Sequence, residues 1–222
     1  MIKLAIAAVS VLALIQPLAA LTPAQASIKV AEAAGVNGFD QVQRIKFTFN
    51  VDLGDKKIIR RWDWQPQDNR VTLIESDKVN LTYHRGGLDE NSDKKVLKAD
   101  SQFVNDSYWL LFPLKVVWDD TVEVVAIPDE ARVAAAGEHK GFRIKYPEKI
   151  GYTPGDVYDV YYDKDFTVTH WAYFPGGAEA PKVVTEWTDY KDKGPLKISM
   201  NRPAPDKPFR VWFTDVTVES SE

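Results

Sequence analysis

The chain has 222 residues, 27% of them charged, a formal net charge of −4 and no cysteine. These values are ordinary for a globular protein; they give no electrostatic reason to expect a nucleic-acid partner, and they exclude disulfides as a source of stability. Aromatic residues make up 12% of the chain, including 7 tryptophans. This leaves two interpretations open, which are aromatic-rich β packing and an aromatic-lined pocket for an apolar ligand or glycan.

The N-terminus has the pattern of a secretory signal peptide. Lys3 supplies a short positive region, an apolar stretch runs to Leu21, and residues 24–26 match the A-x-A pattern that precedes a cleavage site. We therefore expect residues 1–26 to be removed by a cut near Ala26. Residues 27–222 are then expected to form a single β-rich domain, soluble in the periplasm.

Short polar turns separate a series of alternating segments that predict antiparallel strands. A short helix within residues 27–38, closed by Gly35 or Gly38, precedes the clearest strand at residues 44–52, where apolar side chains occupy every second position. Further strands are predicted at residues 57–64, 70–75, 80–84, 121–127, 142–146, 157–162, 167–174, 182–190, 196–200 and 209–218. We predict an α+β, mainly β fold, a long and strongly curved antiparallel sheet (an unclosed barrel) of about ten strands, with short helices covering its concave face.

Residues 101–118 form the most apolar part of the mature chain. They follow a polar segment at residues 85–100 that is predicted to be a loop, and their first half predicts a helix with Asp100 or Ser101 as its N-cap. Pro113 is expected to stop or kink this helix, because proline has no N–H to donate. The segment is predicted to fill or cover the concave face, either as plain core or as the lid of a ligand cavity.

The sequence contains no recognisable catalytic or metal-binding motif. Its three histidines lack the spacing of metal ligands, and nucleophile elbows, phosphate-binding loops and catalytic cysteines are absent. We therefore expect a protein that is not an enzyme and has no metal or cofactor. Asp163 and Asp165 are best explained as turn residues, with calcium binding or carboxylate catalysis as alternatives.

Several stretches resemble known exported proteins. The signal peptide, the helix leading into RIKFTF at residues 44–49, the strand meander and the apolar mid-chain helix are similar to the LolA/LolB-like carriers of bacterial lipoproteins. The motifs FVNDSYWLLFP (103–113), GYTPGDVY (151–158) and VWFTDV (211–216) resemble exported proteins described as outer-membrane lipoprotein-sorting-like. The resemblance implies an unclosed barrel with a hydrophobic cavity and helices as lid, which carries acyl chains through the periplasm.

Three functions are consistent with these features. The first is a periplasmic, monomeric carrier of a lipid or lipoprotein acyl chain, with an outer- or inner-membrane protein as a further partner and an apolar cavity of several hundred Å³ under residues 101–118. The second is a non-enzymatic structural or protein-interaction module of the cell envelope, and the third is a carboxylate-based hydrolase near Asp163, Asp165 or Asp119. For the carrier, the predicted ligand-binding residues are Phe47, Phe49, Trp62, Trp64, Tyr83, Phe103, Trp109, Phe112, Trp118 and Tyr161.

Overall fold

The computed structural model describes residues 20–76, 79–149 and 154–221. In these ranges the chain forms two α-helices and twelve β-strands, with several single 3-10 turns between them. The helices are α1 (Pro23–Ala33) and α2 (Lys94–Trp118). The strands are β1 (Val42–Asp52), β2 (Lys57–Gln65), β3 (Arg70–Ile74), β4 (Asn80–His84), β5 (Glu123–Val125), β6 (Lys140–Lys145), β7 (Val157–Tyr162), β8 (Val168–Phe174), β9 (Val183–Glu186), β10 (Thr188–Lys193), β11 (Leu196–Pro203) and β12 (Arg210–Ser220).

The strands form two antiparallel sheets that follow each other along the chain. One has seven strands in the order β10-β11-β12-β1-β2-β3-β4, and the other has five in the order β5-β6-β7-β8-β9. Only Trp187 separates β9 from β10, so the polypeptide passes from one sheet into the other at a single bend. The result is one curved succession of strands that ends at β4 and β5 and, over the described residues, does not close. The predicted unclosed, mainly antiparallel fold is confirmed.

The bend at Trp187 also explains the number of strands. The sequence predicts one strand over residues 182–190, which is wrong, because the stretch divides into β9 and β10. The backbone N–H of Trp187 turns to donate to the carbonyl of Thr169 at 2.8 Å, and its side chain is buried inside the curve. An alternating pattern cannot reveal this break, because the apolar residue at the bend is also one that a continuous strand would bury.

Helix α2 begins seven residues earlier than residue 101. Its N-cap is Asp93, whose Oδ1 accepts hydrogen bonds from the N–H groups of Lys95 at 2.7 Å and Val96 at 3.3 Å. The predicted cap at Asp100 or Ser101 and the predicted loop over the last part of residues 85–100 are therefore wrong. Lysine, leucine and alanine in this stretch favour a helix, and the aspartate before them supplies the cap.

Pro113 lies inside α2 and kinks it. Leu111 has φ −119° and ψ 23°, outside helical values, and the helix then continues to Trp118. The kink confirms one of the two outcomes predicted for this proline, which cannot donate to the carbonyl four residues before it. We call residues 94–110 the first arm of α2 and residues 112–118 the second arm.

The two arms bury most of their apolar side chains in different clusters, although Leu114 of the second arm packs in the cluster of the seven-stranded sheet. The first arm packs on the seven-stranded sheet, where Phe103 lies against Trp62 with ring centroids 5.5 Å apart. The second arm packs with α1 on the five-stranded sheet, where Phe112 stacks on Trp171 at 5.2 Å. The kink thus allows one helix to cover the inner faces of both sheets.

Helix α1 includes the predicted cleavage site. Residues 1–19 of the predicted signal peptide lie outside the described residues, as do residues 151–153 of the GYTPGDVY motif. Thr22 caps α1, and Ala26 is only 2% exposed. The predicted helix over residues 27–38 therefore begins earlier, at Pro23, and ends at Ala33, after which Gly35 takes the left-handed φ of 95° expected of a helix-closing glycine. Within the described chain, no helix combines the length and the apolar character needed to cross a membrane.

Candidate functional site

A cavity of about 640 Å³ lies in the bend of α2, over the five-stranded sheet. Both arms of the helix, the turn after it and the inner face of the sheet contribute to its wall. The lining residues are Ser101, Val104, Asn105, Tyr108, Trp109, Lys115, Trp118, Asp119, Asp120, Thr121, Tyr146, Asp156, Tyr158, Trp171 and Tyr173. The predicted cavity under residues 101–118 is thereby confirmed in place and in size.

Aromatic residues account for seven of the fifteen lining residues. Trp109 meets Trp171 edge to face with centroids 4.2 Å apart, and Tyr158 stacks on Tyr173 at 5.1 Å. Val104 is the one aliphatic side chain among the lining residues. Rings of tyrosine and tryptophan present an apolar face and a polar edge. The wall therefore offers both apolar area and directional hydrogen bonding, as an amphipathic ligand requires.

The tyrosine hydroxyls of the wall form two hydrogen-bonded groups. The hydroxyl of Tyr146 donates to that of Tyr108 at 3.0 Å. Those of Tyr158 and Tyr173 donate to Oδ2 of Asp156 at 3.2 and 2.9 Å. Burial raises the pKa of Tyr146 and of Tyr173 to about 12, and that of Tyr158 still further. These hydroxyls consequently remain protonated, and the tyrosines bound to Asp156 hold its carboxylate in place.

Lys115 is the one basic residue among the lining residues. It lies in the last turn of α2 and is partly buried. The pKa of its ammonium group is lowered to about 8, mainly by burial and also by the nearby Arg85, whereas Asp100 acts in the opposite direction. Among the described residues, this ammonium group makes no hydrogen bond or ion pair.

Two arginine–aspartate pairs fix the first arm of α2. The guanidinium of Arg60 on β2 binds Asp106 through two nitrogens, one of them 2.6 Å from Oδ2, and the indole N–H of Trp62 donates to the same oxygen at 2.8 Å. Asp106 is fully buried, and burial raises its pKa more than Arg60 lowers it. Asp100 pairs with Arg85 at 2.7 Å. In the part of the chain that the structure describes, no ion pair holds the second arm in this way.

The structure distributes the ten predicted ligand-binding residues over four places. Trp109 and Trp118 line the cavity. Phe112 lies beside it in the cluster around Trp171, and Tyr161 packs against Ile127 and Ala136 in a separate small cluster. Six pack in the core of the seven-stranded sheet, and they are Phe47, Phe49, Trp62, Trp64, Tyr83 and Phe103. Which of the ten contact a ligand stays a prediction.

Most of the residues that line the cavity were not among the ligand-binding residues predicted from the sequence. Tyr158 and Tyr173 occupy opposite positions in the β7–β8 pairing, so their rings fall on the same face of the sheet. The alternation of Trp171 and Tyr173 along β8 carries this signal, because residues two apart in a strand share a face. Tyr108, Tyr146 and Lys115 carry no comparable signal.

The carboxylates considered for catalysis accept hydrogen bonds within their own turns. Oδ1 of Asp163 accepts the N–H groups of Asp165 and Thr167, each at 2.9 Å, as expected of a turn residue. Asp119 accepts the N–H and the hydroxyl of Thr121 at 3.0 and 2.6 Å. No cluster of three possible metal-ligating side chains occurs in the described part of the chain.

Arg202 on β11 is a second unusual basic residue, and it lies outside the cavity wall. Its side chain is fully buried, with the guanidinium carbon 3.9 Å from the ring centre of Trp187 and 4.8 Å from that of Phe213. Over the residues described, none of its three side-chain nitrogens has a hydrogen-bond partner. Burial lowers its pKa to about 9.

No protein-family model and no curated protein matches the chain. Among solved structures, the chain is similar to a LolA superfamily protein. That protein, from Nitrosomonas europaea, is 7% identical with a TM-score of 0.49, over 91% of this chain and 96% of the other. A DUF1329 family protein from Desulfovibrio piger is 11% identical with a TM-score of 0.45, over 90% of this chain and 94% of the other.

A third similar structure is described as a putative outer membrane lipoprotein-sorting protein domain, from Vibrio parahaemolyticus. It is 8% identical with a TM-score of 0.41, over 88% of this chain and 94% of the other. The LolA superfamily and the lipoprotein-sorting proteins are the groups that the sequence resembles. At this level of identity and TM-score, the function has to be argued from the cavity.

Proposed function

We propose that this protein is a periplasmic carrier that holds the apolar part of a lipid, most simply a lipid or lipoprotein acyl chain, in the cavity at the bend of α2. The observation that carries the proposal is the cavity itself, about 640 Å³ of space bounded by the aromatic inner face of the five-stranded sheet and by both arms of the helix. Small-molecule sites have volumes of about 300–1,000 Å³ and mostly apolar walls with a few polar groups. A packed structural module is supported less well, because it would leave no such space.

The affinity expected of such a cavity is moderate. Each buried methylene contributes about 0.8 kcal/mol, so ten of them contribute about 8 kcal/mol. This corresponds to a dissociation constant of about 1 μM before the entropic cost of association is subtracted. This value is an upper limit to the affinity, and a moderate affinity allows a carrier to release its ligand.

The anchoring of α2 favours the second arm as the part that admits the ligand. The first arm is held by the Arg60–Asp106 and Arg85–Asp100 pairs, whereas the second arm follows the kink at Leu111. Hinges concentrate at a few residues with unusual backbone angles. A donor or acceptor in the inner or outer membrane would then act on the second arm.

The test is native mass spectrometry of the mature protein, purified from the periplasm without detergent. An added mass that is lost on organic extraction supports the proposal and gives the class of cargo. A bare protein that also fails to take up an offered neutral alkyl alcohol contradicts it.

A matched pair of variants localises the binding. Val104→Trp places a large ring in the cavity and should abolish uptake, whereas Lys98→Trp adds the same ring at an exposed position of the same helix and should not. Unchanged uptake in both variants would place the ligand elsewhere.

A further inference from the structure

The cavity wall contains one cation, Lys115, whose side chain makes no hydrogen bond or ion pair with a described residue. The ammonium group of Lys115 has three donors, and among the described residues none of them is used. Lys115 is partly exposed to the cavity, so an apolar ligand there would displace the water around its ammonium group, which is unfavourable without a compensating partner. An anionic group on the ligand would supply that partner.

The carboxylates of the wall do not pair with the ammonium group of Lys115. Asp156 already accepts the hydroxyls of Tyr158 and Tyr173, and its other oxygen accepts the N–H of Gly176 at 2.8 Å. Asp119 is bound by the backbone and side chain of the turn after α2, and Asp120 is exposed at the rim. Their positions are therefore set by the protein, and none of them neutralises Lys115 through an ion pair.

The charged groups of the neighbouring elements also leave Lys115 without a partner. Arg85, which follows β4, and Asp100, on the first arm, are paired with each other at 2.7 Å. Arg85 disfavours the charge on Lys115, and Asp100 favours it. Lys115 therefore carries a charge that no direct ion pair neutralises, in a wall that also carries Asp119, Asp120 and Asp156.

We propose that the cavity selects anionic amphiphiles, with a carboxylate or phosphate head bound by the ammonium group of Lys115 and the apolar chain lying against the rings of Trp109, Trp171 and Tyr158. This inference rests on the proposed function and adds to it the charge class of the ligand. A hydrogen bond to a charged group contributes enough to give about a tenfold or larger preference for the anion over a neutral head group.

The preference depends on pH in a defined direction. The pKa of Lys115 is lowered to about 8, so the ammonium is charged near neutrality and loses its proton as the pH rises through that value. The preference for an anion is therefore present below about pH 8 and is lost above it, shifted somewhat upward when the bound anion stabilises the charge.

The experiment measures the displacement of a fluorescent apolar probe from the mature protein by four alkyl compounds of equal chain length. They carry a carboxylate, a phosphate, a hydroxyl and a trimethylammonium head group, and each is used below its micelle concentration. Inorganic phosphate and acetate alone distinguish the head-group anion from a free anion site. The expected order is carboxylate and phosphate first, the alcohol about tenfold or more weaker, and the cation weakest.

Three variants assign the preference to Lys115. Lys115→Met should bring the carboxylate down to the affinity of the alcohol, whereas Lys98→Met, which removes the same charge from an exposed position of α2, should leave the preference intact. Lys115→Arg should keep the preference above about pH 9, where the wild type loses it, because arginine stays protonated there. This gain remains measurable even if Lys115→Met fails to fold.

The outcomes separate the two proposals. If the alcohol binds as well as the carboxylate, or the cation binds best, the selection for anions is overturned and the carrier function stands. If inorganic phosphate binds and no alkyl compound does, both are overturned in favour of a small-anion site. If no compound displaces the probe or binds directly, the carrier function itself fails.

Discussion

Replacing Arg202 by methionine should make the protein more stable. The side chain is fully buried, and none of its nitrogens has a hydrogen-bond partner over the described residues. Burial lowers its pKa from 12.5 to about 9. At about 1.4 kcal/mol per pH unit, this shift corresponds to about 5 kcal/mol of unfavourable free energy for the charged form.

Part of that free energy is offset by contacts that methionine would lose. The guanidinium faces the rings of Trp187 and Phe213, and each cation–π contact contributes about 1–2 kcal/mol in a desolvated site. The shorter side chain also leaves unfilled space, at a cost of about 1 kcal/mol. The free energy of unfolding should therefore rise by about 1 kcal/mol, which corresponds to about 2–4 °C in the melting temperature.

Thermal unfolding followed by circular dichroism measures this difference. Arg210→Met is the matched control, since Arg210 is exposed over the ring of Trp212 and its replacement should change the free energy of unfolding by about 0.5 kcal/mol or less. A melting temperature lowered by more than about 5 °C in Arg202→Met would refute the reasoning.

The pH dependence of stability tests independently whether the charge of Arg202 destabilises the folded protein. Because the folded-state pKa of Arg202 is lowered, the unfolded chain binds its proton more tightly, and wild-type stability gains from this group as the pH rises through about 9. The advantage of Arg202→Met should therefore shrink between about pH 8 and pH 10. An advantage that stays constant with pH would show that desolvation of the charge is not its cause.

Three further predictions concern the anchoring of α2, the cavity wall and the predicted cleavage site. Asp106→Ala leaves the partly buried guanidinium of Arg60 and the buried indole N–H of Trp62 without their partner and should lower the free energy of unfolding in urea by about 3 kcal/mol, whereas Asp165→Ala, in an exposed pair, should change it by less than about 1 kcal/mol. Equal effects of the two would contradict this anchoring. Tyr158→Phe removes one donor from a buried carboxylate and should cost about 1 kcal/mol in the same assay, with Tyr162→Phe, whose hydroxyl makes no hydrogen bond to a described residue, close to neutral. An effect of Tyr162→Phe as large as that of Tyr158→Phe would argue against this hydrogen bond. The intact mass of the exported protein should correspond to a cut after Ala26; the mass of the whole chain would contradict the predicted signal peptide.

The strands were the most predictable part of the fold. The strand at residues 157–162 was predicted with the bounds that β7 has, and the one at 44–52 lies within β1, because one buried face imposes a strict alternation. The start of α2 was missed although its signals are local, namely the cap at Asp93 and the helix-favouring residues that follow it. The bend at Trp187 was not predictable in the same way, because tertiary packing decides where an apolar residue turns inward.

The position of the cavity was predictable, but its wall was not. An apolar helix with an internal proline has to cover the concave face, and this locates the space under residues 101–118. Which rings fill the core and which remain at the cavity depends on the total volume packed between the sheets. Phe47 and Trp62 pack in the core, whereas Tyr158 and Trp171 line the cavity. Which aromatic residues belong to the core and which to the cavity wall can therefore be read only from the three-dimensional structure.

The burial of α1 has a consequence for the predicted cleavage at Ala26. The capping box of Thr22 and Gln25 forms the first turn of the helix, and Ala26 and Ser27, at 2% and 4% exposure, are packed into the protein. A peptidase that cuts between Ala26 and Ser27 needs an extended and accessible backbone, and the docked helix offers neither. If a leader is cut there, α1 has to be undocked and extended around Ala26 when the cut occurs. Docking of α1 onto the five-stranded sheet would then follow the cut, and a chain in which α1 docks first would keep its leader.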